Sequence, residues 1–280
     1  MAKSFVLTAI LAVGLATAGC DIQTGNGDFS IDFASGKATE TWSRSYKVPA
    51  SGRFELINVN GRISAGPTDG TEVIVEGKKT AKAGTDESAK ELLAKLDIRE
   101  EVGESTVRVE SRPPRLSGFS QHDIEWTVKV PKGVVVDFRT TNGDVRLNDL
   151  SNEIHAKTTN GGVKGEGILP SKIEASAVNG GVEINLGEPL DENDSVELET
   201  VNGVVSLGLP NESKATISAR CVNGGVRVDG VKIEREDSGS NDYERKRRLS
   251  GTMNGGGAKV TMSTTNGVVH IGSVAAKKTT

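Results

Sequence analysis

Between residues 134 and 274 the chain alternates apolar and polar positions, and the alternation restarts at a recurring Asn-Gly pair. The pairs begin at Asn142, Asn160, Asn179, Asn202, Asn223 and Asn266, at spacings of 18, 19, 23, 21 and 43 residues. Three places after each Asn stands a valine: Val145, Val163, Val182, Val205, Val226 and Val269. Six places before stand Val136, Ile154, Ile173, Val196, Ile217 and Val260, all β-branched. Two before come the small residues Thr140, Thr158, Ala177, Thr200, Cys221 and Thr264. The intervening places are mostly polar. Period-two alternation on both sides of a Gly-containing corner predicts strand, turn, strand, with one face buried. An antiparallel meander with two-residue hairpins satisfies this pattern as well as a parallel stack does. The Asn keeps its neighbours and each buried position keeps its size class from repeat to repeat, which favours stacked coils. The expected fold is therefore all-β: a single-stranded, parallel β-helix-like solenoid of about 20-residue Asn-Gly repeats, with the final gap read as two periods.

The front of the chain carries a further copy, FELINVNGRISA, with its corner at Asn60. TEVIVEGKKTAKA follows as a strand. TDESAKELLAKLDI predicts a short helix capped by Thr85 or Asp86, with Ala89, Leu92, Leu93 and Leu96 on one face. STVRVESR and DIEWTVKVP are two more strands around the loop PPRLSGFSQ. Residues 46–133 are thus expected to form an N-terminal β section with one helix, 134–274 the solenoid and 275–280 a tail.

The first twenty residues add an address. Lys3 precedes an apolar run from Phe5 to Ala16 and then small residues up to Cys20, the layout of a bacterial export signal and too short to span a bilayer comfortably. Thr17-Ala18-Gly19-Cys20 resembles the lipobox of bacterial lipoproteins, which implies lipidation of Cys20 and membrane anchoring through it. Ordinary cleavage near Ala18, giving a soluble product, is the alternative. Residues 21–45 read as a polar, Gly-rich tether. Without Lys3 the 34 basic residues fall to 33 against 38 acidic ones, a mildly acidic balance that argues against a nucleic-acid partner. With Cys20 lipidated only Cys221 remains, so no intramolecular disulfide is expected. Two Trp, two Tyr and six Phe leave a core of stacked Val, Ile and Leu.

The strand ending in KVP, the segment KGVVVDFRTTNGDVRL and the repeats T-x-N-G-x-V-x-V resemble the bacterial putative-adhesin β-strand-repeat family, a domain of unknown function. LSGTMNGGGAKVTMSTTNGVVHI resembles its final repeat, and the likeness runs from about Phe54 to Ser273. The resemblance implies an envelope-exposed, β-helix-like protein without established catalytic residues. Residues 231–248 are longer and more charged than that pattern leads one to expect.

Catalytic and metal motifs are missing from the sequence. His122, His155 and His270 sit on separate elements, with no His-x-x-His or Cys-x-x-Cys spacing, and neither a nucleophile elbow nor a phosphate loop occurs. No cofactor is expected. Asp137, Glu174, Glu197 and Glu199 face outward near one another, with Arg139 and Lys157 among them, which reads as charge pairing on a solvated strand face. Cys221 fits the buried small-residue row, and Arg245 to Arg248 read as part of a solvated loop. The residues just before each Asn, Thr141, Thr159, Val178, Val201, Val222 and Thr265, form an outward β-branched stripe with three valines at its centre. That stripe is the candidate contact surface.

The expectation is a non-enzymatic cell-envelope lipoprotein, periplasmic or surface-exposed, whose solenoid is an adhesin-like binding or scaffold surface for a protein or glycan. A glycan-active β-helix enzyme using the outward carboxylates is one alternative. An envelope-stress or signalling accessory protein using the 231–248 loop is another.

Overall fold

The structure is a computed structural model that describes residues 36–114, 120–169, 171–236 and 246–276. The export signal, Cys20 and residues 21–35 of the expected tether lie outside the described residues, as do residues 277–280 of the tail. Strand β1 (Gly36–Tyr46) is followed by β2 (Arg53–Asn60) and β3 (Ile63–Pro67), which meet at the Asn60 corner. Then come β4 (Val73–Ala83), helix α1 (Asp86–Ala94), β5 (Asp97–Val102), β6 (Thr106–Arg112) and β7 (Gln121–Val130). Four corner-joined pairs follow: β8 (Val135–Asn142) with β9 (Val145–Asn148), and β10 (Ile154–Asn160) with β11 (Val163–Ile168). The other two are β12 (Lys172–Asn179) with β13 (Val182–Leu186), and β14 (Ser195–Asn202) with β15 (Val205–Leu209). β16 (Ala215–Asp229) runs through its corner at Asn223, β17 (Glu234–Arg235) and β18 (Arg248–Met253) are short, and β19 (Ala258–Ser273) runs through its corner at Asn266. The described residues are all-β with one helix, α1, and their strands join in a single 19-stranded sheet.

Pre-corner strands pair in the order β2, β8, β10, β12, β14, β19, β16, each parallel to the next and each matching Asn to Asn. Post-corner strands follow the same order, β3, β9, β11, β13, β15, β19, β16, with Val145, Val163, Val182, Val205, Val269 and Val226 in register. This order corrects one expectation. Among the described residues, the 43-residue gap between Asn223 and Asn266 holds no further ladder corner. Instead β19 inserts between the β14–β15 rung and β16, so that the last corner in sequence is the penultimate one in space.

Both ends of the stack change pairing. β6 and β7 lie parallel to β2 and β3, but β5 on β6, β4 on β7 and β1 on β4 are antiparallel. At the other end β18 runs antiparallel to the first half of β16, and β17 to β18. Residues 36–45, expected in the tether, belong to β1: Ala38 and Tyr46 are buried by its eleven-residue register with β4. Helix α1 is N-capped by Thr85, whose hydroxyl accepts from Ser88 N, and it buries Ala89, Leu92 and Leu93 beside Ala38, Ala81 and Ala83. Burying this small apolar face gives a nine-residue helix the stability that its length alone does not.

Inside the stack, Ile154, Ile173, Val196 and Val260 pack rung on rung, each no more than 1% exposed. Valines 145, 163, 182, 205 and 269 are similarly buried, whereas Val226 on the end rung is half-buried. β-Branched side chains fit such a column because χ1 is already restricted and neighbours repeat at the strand spacing. Each corner needs glycine. Gly161 has φ +147°, and a Cβ there would collide with the Gly143 carbonyl of the rung beneath. That inward-turned carbonyl is satisfied by the residue two before the next Asn: Thr158 Oγ1 donates to Gly143 O at 2.8 Å. Thr140, Thr200 and Thr264 donate in the same way to Gly61, Gly180 and Gly203, and the Cys221 thiol to Gly267. The preference for Thr at this small-residue position is thus a hydrogen-bond requirement as well as a size requirement.

Candidate functional site

The seven corner asparagines form one unbroken ladder. Asn142 Nδ2 donates to Asn60 Oδ1, Asn160 to Asn142, Asn179 to Asn160 and Asn202 to Asn179, at 2.7–3.0 Å. Asn266 donates to Asn202 and Asn223 to Asn266, both at 2.8 Å. Every amide points the same way, so Asn60 Nδ2 is left for His122 Nε2, 3.1 Å away, and the Asn223 Oδ1 stands at the opposite end. Such a ladder fixes the corners relative to one another and makes them a stiff ridge rather than a reactive centre.

The stripe beside this ridge is arranged in spatial order Thr141, Thr159, Val178, Val201, Thr265, Val222, because β19 is inserted before β16. Two adjacent valines, and not three, therefore occupy its middle. Val201 and Val222 are 40% and 41% exposed, and Val204, on the other side of the Asn202 corner, is 48% exposed. Thr159 and Val178 are half-buried.

The outward face of the pre-corner strands holds a groove of about 430 Å³. Asp137, Arg139, His155, Lys157, Glu174, Ser176, Glu197 and Glu199 line it. The parallel register sets these side chains in two columns, one running Asp137, His155, Glu174, Glu197 and the other Arg139, Lys157, Ser176, Glu199. Rungs of one sheet lie about 4.8 Å apart, so four rungs bring together residues that are scattered over the sequence. The four carboxylates singled out in the sequence do share this face, but they are not equivalent.

At one end the Asp137–Glu174 column is paired. Asp137 is buried at 5% exposure and takes both Arg139 Nε at 2.9 Å and Nη2 at 2.6 Å, with Arg53 at 3.9 Å. The first of these bonds holds the Arg139 guanidinium above its usual range. His155 lies between two carboxylates, with Nδ1 2.8 Å from Glu174 and Nε2 2.9 Å from Glu153. Lys172 bridges the same two acids at 2.9 and 3.4 Å. Glu153 is held below the usual carboxylate range chiefly by the His155 hydrogen bond, and Glu174 chiefly by that from Lys172. Neither is a ready proton donor at neutral pH. The carboxyls pushed upward by burial, Asp123 and Asp194, stand on β7 and in the turn before β14, outside the groove.

At the other end the side chains face solvent with open hydrogen-bonding capacity. Glu197 and Glu199 project from β14, flanked in register by Glu174 and Thr261 and by Ser176 and Ser263. With Lys157 they offer acceptors, hydroxyls and one ammonium to a partner. The sequence showed each of these residues as an ordinary exposed position, and only the rung order reveals that they converge. Cys221 is buried at 3% exposure. His270 faces outward, with Nε2 2.9 Å from Asp229. Among the described residues, no group of three or more His, Cys, Asp or Glu could hold a metal ion, and no helix is long and apolar enough to cross a membrane.

An all-β stack of Asn-Gly corners, with a polar groove on one face and a partly exposed β-branched ridge beside the corners, defines a β-strand-repeat protein. The chain belongs to the Toastrack DUF4097 family, whose model matches residues 123–272. Comparison with curated protein sequences gave no match. Among solved structures, a putative cell adhesion protein from Clostridium sporogenes is similar at 14% identity, covering 84% of this chain and 100% of its own, with a TM-score of 0.45. A putative adhesin from Bacteroides fragilis is also 14% identical and covers 84% of this chain and 97% of its own, at a TM-score of 0.33. A putative lipid binding protein from Parabacteroides distasonis is 8% identical, covering 84% and 96%, at 0.28. Identity this low extends none of those proteins' roles to this chain.

Proposed function

We propose that the protein is a lipid-anchored component of the bacterial cell envelope that presents a parallel β-helix-like stack as an adhesin-like binding surface. In this reading residues 1–19 are cleaved off at export, Cys20 becomes the lipid-bearing N-terminus and the segment up to β1 is the tether. The contact is the open end of the groove, and the partner is a polyhydroxylated polymer, a glycan. The carrying observation is the grouping of Glu197 and Glu199 with Ser176, Thr261 and Ser263 on one rigid face. Carboxylates that accept from sugar hydroxyls, with hydroxyls to answer them, suit such a ligand better than an apolar one. The low-lying carboxyls of Glu174 in the groove and of Glu153 behind His155 favour binding over acid catalysis.

The test is a glycan array probed with the wild-type chain and with a Glu197→Gln, Glu199→Gln variant. Wild-type binding to a defined glycan class, lost in the variant without a fall in melting temperature, is the expected result. Equal binding by both proteins excludes the groove. The exposed Val201, Val204 and Val222 support a second reading, in which a protein partner docks along the corner ridge. Val201→Asp would abolish that contact and leave glycan binding intact.

A further inference from the structure

The Asn-Gly corners are chemically alike but not equally protected. In an Asn-Gly sequence the glycine nitrogen, once it loses its proton to base, attacks the Asn side-chain carbon. A new N–Cγ bond closes a succinimide ring while the Cγ–Nδ2 bond breaks and ammonia leaves. Water then opens the ring at either carbonyl, giving aspartate or isoaspartate. The conversion needs only water and no change of oxidation state.

Within the stack this attack is opposed at the interior corners from Asn142 to Asn202. Gly143 N donates to Asn160 O at 2.9 Å, Gly161 N to Asn179 O at 3.0 Å, Gly180 N to Asn202 O at 2.9 Å and Gly203 N to Asn266 O at 2.9 Å. The nucleophile at each corner is tied to the next rung, and both ends of each Asn amide are tied into the ladder. The rung at Asn223 is the last: no further Asn-Gly rung lies beyond it among the described residues. Its Nδ2 donates to Asn266, and among the described residues no rung follows to take up Gly224 N or to donate to Asn223 Oδ1, the Lys246 backbone lying beside Gly225 instead. Gly224 is exposed, whereas the other six corner glycines are half-buried. The backbone is otherwise the same, with φ +145° at Gly224 and +147° at Gly161. The difference therefore lies in what covers the corner and not in its shape. Asn254 also precedes a glycine, but in a separate turn where its Nδ2 is held by the Asn211 and Ser213 carbonyls.

We infer that Asn223 is a self-modification site of this protein, the ladder corner that converts spontaneously to aspartate or isoaspartate while the interior corners persist. The consequence follows from the ladder. The product has no Nδ2–H to give to Asn266 Oδ1 and sets a carboxylate against it. An isoaspartate also lengthens the main chain by one carbon, which shifts Gly224–Asp229 out of register with β19. Ageing would thus loosen the outer end of the stack and leave the groove intact.

The test is incubation of the folded mature chain at mildly alkaline pH, followed by peptide mapping by mass spectrometry. Trypsin releases CVNGGVR, TTNGDVR and TTNGGVK, each carrying one corner, Asn223, Asn142 and Asn160. The expected result is conversion in CVNGGVR at least about tenfold faster than in the other two, a ratio that needs only about 1.4 kcal/mol of local protection. In urea-unfolded chain the three rates should converge. Equal rates in the folded protein, or faster loss at Asn142 or Asn160, overturn the inference. The structural consequence is read by hydrogen exchange on Asn223→Asp: faster exchange confined to residues 224–229 is expected, and unchanged exchange there contradicts it.

Discussion

Replacing Thr158 by valine isolates one hydrogen bond of the stack while keeping the side chain's shape. Thr158 is fully buried, and its Oγ1 donates at 2.8 Å to the carbonyl of Gly143, which the glycine's positive φ has turned inward. Valine cannot donate, so that carbonyl loses its side-chain partner where water does not reach. An unsatisfied buried acceptor costs about 1–3 kcal/mol. The methyl group that replaces the hydroxyl returns about 0.8 kcal/mol by burial. A net loss of about 0.2–2 kcal/mol is expected. The neighbouring rung supplies the converse. Ala177 has no donor for the Gly161 carbonyl, and it is flanked in register by Thr158 and Thr200. Ala177→Thr should therefore recover about 1 kcal/mol. Urea unfolding followed by both circular dichroism and tryptophan fluorescence measures the two variants. The paired probes show whether the stack and the aromatic end, where Trp42 meets Trp126, unfold together. A Thr158→Val protein as stable as wild type would refute the claim that Thr at this position is kept as a donor.

Gly161→Ala places a Cβ against the Gly143 carbonyl at a φ that L-residues avoid, so it should cost roughly 3 kcal/mol or more and lower the melting temperature sharply. His122 gives a pH dependence: burial lowers its pKa from the ordinary 6.5, so the folded state favours the neutral ring. Its contribution is complete above pH 6.5 and is lost as pH falls from there toward the lowered value, because the unfolded chain takes up the proton first. Protonation would also set Nε2–H against Asn60 Nδ2, and His122→Gln should flatten this acid limb in a series of urea titrations. Asp137→Asn should loosen the two-bonded Arg139 and lower stability by roughly 1 kcal/mol, a small loss because Arg139 is largely exposed.

The periodic part of the fold was legible because each rung is a local unit: corner glycine, buried valine three places on, and a β-branched residue six places back. The same reading located α1 with its Thr85 cap and apolar face. It missed β1, whose eleven residues carry only a weak alternation and become a strand by pairing with β4, some forty residues later in the chain. It also missed the insertion of β19. Rungs with the same corner and the same valine are interchangeable neighbours as far as local pattern goes, so their order is decided by tertiary fit. The groove was half visible: its carboxylates were noticed, but the split between the paired Asp137–Glu174 end and the open Glu197–Glu199 end depends on which rungs adjoin. The preference for Thr two places before each Asn was read as one for small size. Its role as a donor emerged from where the glycine carbonyls point.

The measurement that bears most directly on the proposed role compares wild type with Cys20→Ala in intact cells. Membrane fractionation, mass of the mature chain and protease digestion from outside are read on the same samples. The account predicts that wild type carries a lipid mass, partitions with membranes and is clipped from outside, and that Cys20→Ala loses the lipid and the membrane association. A wild-type protein recovered soluble, without lipid and shielded from the protease would contradict presentation at the cell surface.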